Sequence, residues 1–194
     1  MESRRSLSPT SIALVAVFAG LIAASTVWPG IQIAAGVPLT LQTFAVLLAG
    51  AVLGPWRGAA AVVVYLVLGT AGLPIFASHM AGPAVWARPT GGFLASFVVA
   101  AWVTGWMVRA FRRSHRLSLA TVLASTAVGS LLVINVIGYA WLMIYLSASV
   151  RDTVVIALPF LPGDLIKLVV AAVVAWAVHR AYPALLGATP PATA

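Results

Sequence analysis

The chain contains 194 residues, of which 62% are hydrophobic and only 7% carry a full charge. A soluble domain carries charge on about a quarter of its residues, so this composition excludes an ordinary water-exposed surface and indicates an integral membrane protein. The net charge of +8 does not indicate nucleic-acid binding, because the basic residues lie between apolar runs, as in membrane-protein loops. The chain has no cysteine, and its three histidines show no metal-ligand spacing, so we expect neither a disulfide nor a metal site.

Six apolar stretches are predicted to form a bundle of six transmembrane helices, which gives an all-α fold. The stretches cover approximately residues 11–28, 40–54, 58–73, 90–110, 117–146 and 162–182. Because about 20 residues are needed to cross the hydrocarbon core, the second and third helices are expected to be tilted or flanked by partly buried loops. The fifth is long enough to tilt steeply or to bend near Gly138.

The basic residues predict that both termini lie in the cytoplasm. With a cytoplasmic N-terminus, eight arginines fall on inner segments, Arg88 and Arg151 fall on outer segments, and Lys167 lies within the last helix. This distribution follows the positive-inside rule. A cleaved signal peptide is the alternative for the first stretch, but five more apolar stretches follow it. The predicted organisation is a cytoplasmic segment (1–10), a transmembrane substrate-binding domain (11–182) and a flexible cytoplasmic tail (183–194).

A proline stands at the start of each stretch that begins on the outer face: Pro38, Pro89 and Pro162. Proline is favoured in the first turn of a helix, where its missing N–H would be unpaired in any case. Three helix N-termini, each with free N–H donors and a partial positive charge, are therefore predicted to point outward. If they converge, they form a site for an anionic or carbonyl-bearing ligand; three unrelated helix starts are the alternative.

Asp164 and Lys167 are the strongest candidates for a binding site. They are the only carboxylate and the only lysine predicted at membrane depth, where ionisable groups are costly and usually functional. Their i, i+3 spacing places them on one face of the sixth helix. They either bind a ligand or pair with each other to fix the start of the helix, and both roles are compatible.

Other polar residues are predicted to face the same region. Asn135 and Tyr139 are four residues apart on one helical face, where the amide either joins two helices or contacts a ligand. Thr40, Gln42 and Thr43 stand at the start of the second stretch, where they either line a pocket or cap the helix.

The outer segment 73–88 is unusually apolar for a loop and contains Phe76, Met80 and Trp86. Such a segment is expected to cover a site as a lid, whereas anchoring of Trp86 at the lipid headgroups is the alternative. After it, Gly91 allows close backbone approach at the start of the fourth helix.

Motifs for catalysis are missing. The sequence has no GxxxxGK[ST] phosphate-binding loop, no GxSxG and no HExxH, so it predicts a binding protein that uses no cofactor rather than an enzyme. In the first stretch, the small residues Ala16, Gly20 and Ala23 allow a second helix to pack closely, either within the chain or from another subunit.

Four segments occur in an order that resembles the BioY family of biotin-specific S components of energy-coupling factor (ECF) transporters. They are VPLTLQTFAVLLAGAVLGPWRG, GLPIF, RPTGGF and PGDLIK, within a similarity that covers about residues 13–179. The resemblance implies a six-helix protein of the plasma membrane that binds biotin near the outer face. It implies as partners a transmembrane coupling subunit, which contacts Ala16, Gly20 and Ala23, and two cytoplasmic ATPases, which alone use ATP. A stand-alone secondary transporter of biotin or another small vitamin is the alternative.

The resemblance also implies a set of biotin contacts. Asp164 can accept the ureido N–H bonds, and Lys167 can donate to the ureido carbonyl or to the carboxylate tail through charge-assisted bonds. Aromatic side chains such as Phe44, Trp86, Phe93 and Tyr139 are expected to cover the apolar rings. The complete predicted site consists of Asp164, Lys167, Asn135, Tyr139, Thr43, Phe44, Trp86, Arg88, Thr90, Gly91 and Phe93.

Overall fold

The computed structural model describes residues 8–26 and 31–183. Several residues used in the sequence analysis lie outside these ranges. They are Arg4, Arg5, Trp28 at the end of the first predicted stretch, and residues 184–194 of the predicted tail.

The described chain is almost entirely helical. Its first half contains α1 (Pro9–Ala24), β1 (Ile31–Ala34), β2 (Val37–Leu39), α2 (Gln42–Leu53), α3 (Pro55–Thr70), two short 3₁₀ helices (Ala77–His79 and Pro83–Ala87) and α4 (Gly91–Arg113). Its second half contains α5 (Leu119–Ala127), a π-helical segment (Val128–Ile134), α6 (Asn135–Leu146), α7 (Val150–Ala157), a 3₁₀ turn (Leu158–Phe160) and α8 (Leu161–Ala181).

Each of the six predicted apolar stretches corresponds to a helix. Within residues 8–26 and 31–183, three helical stretches are long and apolar enough to cross a membrane: Gly91–Arg113, Leu119–Leu146 and Val150–Ala181. The helices α1, α2 and α3 are apolar but shorter. The irregularity expected near Gly138 in the fifth stretch is a π-helical segment that lies just before it, at Val128–Ile134.

The structure agrees with the predicted all-α fold, adds one detail to it and corrects one helix boundary. The added detail is a small antiparallel hairpin, β1 and β2, with its turn at Ala35 and Gly36, both of which have positive φ. The sixth predicted helix starts earlier than residue 162, because the chain is helical from Val150 onward. Ser149 explains that early start, since its hydroxyl accepts from the Asp152 amide and satisfies a free N–H of the first turn.

The structure also corrects the prediction that a proline begins each of the three outward-pointing helices. Pro38 lies in β2, and Pro89 precedes α4 by two residues, so only Pro162 occupies a first helical turn. The start of α8 at Pro162 is not a free helix N-terminus, because α7 continues into α8 through the 3₁₀ turn that contains Pro159. Prolines 159 and 162 lack the N–H that an α-helix needs at these positions, which explains the local 3₁₀ geometry.

The short helix α2 forms the centre of the protein. It packs against α1, α3, α4 and α8, and every one of its residues except Phe44 is buried. A helix of 12 residues extends about 18 Å, which is less than the hydrocarbon core of a membrane. This length is tolerated because neighbouring helices, rather than lipid, surround α2.

Glycines allow α2, α3 and α4 to approach closely. A Cβ atom on Gly50 would collide with the backbone of Ala101 in α4, and one on Gly58 would collide with the backbone of Gly50. A Cβ on Gly105 would likewise meet the backbone at Gly54 and Pro55. The three helices are thus held at a distance that no larger residue permits at these positions.

The outward surface of the bundle is apolar. Large aliphatic side chains are exposed on α1, α3, α6, α7 and α8, including Val17, Val67, Ile144 and Ile166. A soluble protein rarely exposes contiguous apolar surface on this scale, so these faces are suited to lipid.

We predict that Gly50→Ala lowers the thermal unfolding midpoint of the purified protein in detergent. The added methyl group overpacks the α2–α4 contact, which is expected to destabilise the fold by about 1–3 kcal/mol. Gly20→Ala is the matched control, because no atom lies within 4 Å of its Cβ position and alanine favours the helix by up to about 1 kcal/mol. A Gly50→Ala protein that melts at or above the wild-type temperature would contradict this account of the packing.

Candidate functional site

A cavity lies at one end of the bundle, where the starts of α2 and α4 meet α8. Its wall also includes β2 and the following turn, the segment between α3 and α4, and the junction of the π-helical segment with α6. The helices α2, α4, α6 and α8 therefore all contribute side chains to the cavity. The N-termini of α2 and α4 converge at this cavity. The third predicted helix start, at Pro162, instead lies within the continuous helical stretch Val150–Ala181.

An ion pair forms one wall of the cavity. The Lys167 Nζ atom lies 2.7 Å from Asp164 Oδ1, and both residues are only 7% exposed. The ammonium also donates to the Thr40 carbonyl oxygen over 3.2 Å, which ties α8 to the turn before α2. A buried charged pair is costly to desolvate unless further hydrogen bonds complete it. A carboxylate offers about four acceptor positions, and the ion pair uses one oxygen, so acceptor capacity remains toward the cavity.

A chain of hydrogen bonds extends from this pair across the bundle. The Thr40 hydroxyl donates to Gln42 Oε1 over 3.1 Å, and the Gln42 amide donates to the Tyr65 hydroxyl in α3. Tyr65 in turn donates to the Ile75 carbonyl over 3.2 Å, and Thr26 at the end of α1 donates to the same oxygen over 2.9 Å. The orientation of the Gln42 side chain at the cavity is therefore fixed by partners on both sides.

Aromatic and aliphatic side chains form the remaining walls. Phe93 and Tyr139 stack edge to face, with ring centroids 5.3 Å apart. Phe76 also lines the cavity and packs edge to face on Tyr65. A Cβ on Gly138 would collide with the Phe93 ring, so this glycine makes room for the aromatic pair. The cavity is thus mostly apolar with a few polar groups, as is typical of small-molecule sites.

Thr90 offers a further polar contact. Its hydroxyl is buried and has no hydrogen-bond partner among the described residues, although the residue lines the cavity. Buried polar groups are almost always paired in native structures. A ligand atom in the cavity would supply the missing partner.

The structure brings seven of the predicted site residues to the cavity. These are Asp164, Lys167, Asn135, Tyr139, Thr43, Thr90 and Phe93. Their roles in ligand binding remain predictions, but their common location supports the reasoning that grouped them.

The other four predicted residues lie outside the cavity wall. Phe44 packs among core side chains, and Gly91 is buried against the backbone of Trp86. The Trp86 indole N–H donates to the Thr70 hydroxyl over 3.0 Å, which holds the ring against α3. Arg88 is exposed, and its carbonyl accepts from Trp141 over 2.9 Å.

Several lining residues were absent from the predicted site. Gln42 lines the cavity, which agrees with one of the two roles that its position at the start of the second stretch allows. Phe97 lies one turn after Phe93 on the same face of α4 and also lines the cavity. Phe76 and Met80 belong to the apolar segment 73–88, and both line the cavity. Whether that segment opens stays a prediction. Phe160 had no signal in the sequence, because it lies in a turn that periodicity does not identify.

The predicted subunit-contact residues lie on α1, away from the cavity. Ala16 and Gly20 are exposed, and no atom comes within 4 Å of the Cβ position of Gly20. Ala23 is partly buried against the core. Among the described residues no cluster of His, Asp or Glu could hold a metal ion.

The chain resembles proteins with established names. The sequence pattern that defines the BioY family matches residues 1–184. The Biotin transporter BioY of Rhodobacter capsulatus is 37% identical over 185 residues, which cover 91% of this chain and 96% of that protein. The Biotin transporter BioY of Rhizobium etli is 34% identical, with 92% of this chain and 98% of that protein covered.

A solved structure shows the same fold. It is described as the S-component for biotin from an ECF-type ABC transporter, and it superimposes with a TM-score of 0.83. The superposition covers 88% of this chain and 91% of that one, with 23% sequence identity. The likeness confirms the S-component fold predicted from the sequence.

We predict that Tyr65→Phe destabilises the protein by about 1–3 kcal/mol, because it removes the acceptor of the Gln42 amide and the donor to Ile75 in a buried network. Thermal unfolding in detergent is the measurement. Tyr145→Phe is the matched control, since Tyr145 is 46% exposed and should change the midpoint little. Equal midpoints for the two variants would show that the network does not stabilise the site.

Proposed function

The chain belongs to the BioY family, and we propose that it captures biotin in the cavity as the substrate-binding subunit of an ECF-type ABC transporter. The observation that carries the proposal is the buried Asp164–Lys167 pair on the wall of an otherwise mostly apolar cavity. Intramembrane charges of this kind usually mark substrate sites. The proposed role is binding and transport rather than catalysis, because the relatives are named transporters.

The chemistry of biotin suits these walls. Its ureido ring carries two N–H donors and one carbonyl acceptor, which complement the Asp164 carboxylate and the Lys167 ammonium. The carboxylate tail is a second possible partner for Lys167. The sulfur-containing ring and the alkyl chain are apolar, and Phe76, Phe93 and Tyr139 provide apolar contact. Charge-assisted bonds are about twice as strong as neutral ones, so the ion pair would contribute most of the polar recognition.

The membrane arrangement forms part of the proposal. We assign six spans and cytoplasmic termini in the plasma membrane, with the cavity at the outer face. The arginine distribution supports this orientation, since Arg109, Arg112 and Arg113 lie in the part of α4 that is remote from the cavity, and Arg116 follows shortly after it. The short helix α2 would cross within the bundle, surrounded by protein, whereas α1 and α3 would each have one face toward lipid.

The proposed partners are a transmembrane coupling subunit and two ABC-type ATPases. The exposed small residues Ala16 and Gly20 on α1 provide a surface on which another helix can pack closely. Biotin uptake by the purified chain alone in liposomes, without any ATPase, would instead favour the alternative of a stand-alone transporter.

We predict that Asp164→Asn and Lys167→Ala each weaken biotin binding at least about tenfold, because each removes one charge-assisted contact and leaves its former partner unpaired. Biotin-dependent thermal stabilisation of the purified protein in detergent measures the loss. Asp152→Asn is the matched control, since Asp152 is exposed at the start of α7. Undiminished stabilisation by biotin in both site variants would exclude the pair from the binding site.

We predict that Gly20→Leu reduces ATP-dependent biotin uptake and co-purification with the coupling subunit, while biotin binding by the isolated chain stays unchanged. The larger side chain would keep a partner helix from the α1 surface. Ala95→Leu on α4 is the control, because Ala95 is exposed on a different helix. Normal uptake by the Gly20→Leu protein would argue that another surface binds the coupling subunit.

A further inference from the structure

A second pocket lies at the opposite end of α8 from the cavity, between the last turns of α4 and α8. It is lined by Arg112, His115, Leu117, Trp176, His179 and Arg180. Asp164 and His179 are 15 positions apart on one helix, which corresponds to about 22 Å. The pocket is therefore separate from the cavity that we assign to biotin.

The pocket collects positive charge that the described chain does not neutralise. Two guanidinium groups supply this charge, and two imidazoles also line the pocket. The Arg112 guanidinium donates to the Pro183 carbonyl, and the Arg180 guanidinium lies 4.9 Å from the centre of the Trp176 ring, but neither partner is an anion. In residues 8–26 and 31–183 the carboxylate side chains are Asp152 and Asp164. Asp164 pairs with Lys167 in the cavity, and Asp152 accepts from Ser149 at the start of α7. The helix C-termini explain why basic residues are favoured here, but they do not explain why both helices direct them into one pocket.

His179 provides an independent indication of a ligand. The residue is only 4% exposed, and its Nε2 atom lies 2.8 Å from the Ala51 carbonyl oxygen. A carbonyl only accepts, so Nε2 carries a proton. The other ring nitrogen, Nδ1, is buried without a partner among the described residues. A buried polar atom of this kind normally has a partner, which a bound anion would supply.

We propose that this pocket binds a phosphate group, carried by an anionic lipid or present as the free ion. Guanidinium groups recognise phosphate through paired N–H···O bonds, and Arg112 and Arg180 lie on the two helices that flank the pocket. His179 Nδ1 can accept from a protonated phosphate oxygen or, as imidazolium, donate to an unprotonated one. Leu117 and Trp176 add apolar walls beside these groups, an arrangement that suits a lipid headgroup at a membrane surface. The proposal does not depend on what occupies the cavity.

The test is the thermal unfolding midpoint of the full chain in detergent with three additions: inorganic phosphate at ionic strength matched with chloride, phosphatidylglycerol, and phosphatidylcholine. We expect phosphatidylglycerol or inorganic phosphate to raise the midpoint in a saturable way, as a ligand of the native state does, while chloride and phosphatidylcholine do not. A response to the lipid alone identifies a lipid site, and a response to inorganic phosphate identifies a site for the free anion. No response to either, or an equal response to phosphatidylcholine, overturns the proposal.

Substitutions at the pocket and outside it show whether the stabilisation by phosphate or lipid arises at the pocket. Arg112→Gln/Arg180→Gln should weaken the apparent affinity about tenfold or more. Arg113→Gln/Arg116→Gln removes the same charge from exposed residues outside the pocket and should change it less than about twofold. If the first variant does not fold, Arg112→Lys/Arg180→Lys replaces it, and it should also bind more weakly than the control because lysine lacks the forked donor geometry. Equal weakening in the pocket and control variants would show general charge attraction and overturn the assignment.

Discussion

The buried ion pair between Asp164 and Lys167 is the interaction that the structure at the cavity end of the bundle must accommodate. Two full charges at 7% exposure are costly to remove from water, and they persist in a native structure only when the surroundings complete their bonds. Part of that completion comes from the Thr40 carbonyl. The rest is available to a ligand, since both side chains line a cavity whose other walls are mostly apolar. The site therefore combines a buried ion pair with apolar walls, inside a protein whose outer surface is suited to lipid.

The surrounding fold keeps that pair in position. The turn before α2 carries Thr40, and the chain of bonds through Gln42 and Tyr65 links this turn to α3 and α1. The central helix α2 can be short because protein surrounds it, and glycines bring α3 and α4 close to it. Because this support already orders the side chains of the cavity, it reduces the entropic cost of ligand binding.

Much of this arrangement follows from sequence, because charge and hydropathy have few solutions in a membrane. A helix occurs at each of the six predicted apolar stretches, and Asp164, Lys167, Asn135 and Tyr139 all line one cavity. Features that depend on tertiary contacts were missed or misplaced. The two strands of the hairpin have only four and three residues, and α7 has eight, which is too short for apolar periodicity to identify them in the sequence. Trp86 does not line the cavity, because its indole N–H donates to Thr70 in α3. Aromatic side chains near a site can cover it or pack behind it, and spacing does not distinguish the two.

An experimental structure of the full chain with biotin would show whether the Asp164–Lys167 pair binds the ligand. We expect ligand density in the cavity, with a polar atom of biotin within hydrogen-bonding distance of the Asp164 carboxylate or the Lys167 ammonium. Density at another location, or a bound biotin whose polar atoms avoid both side chains, would contradict it. In that case the pair would serve only to fix α8 against the turn before α2.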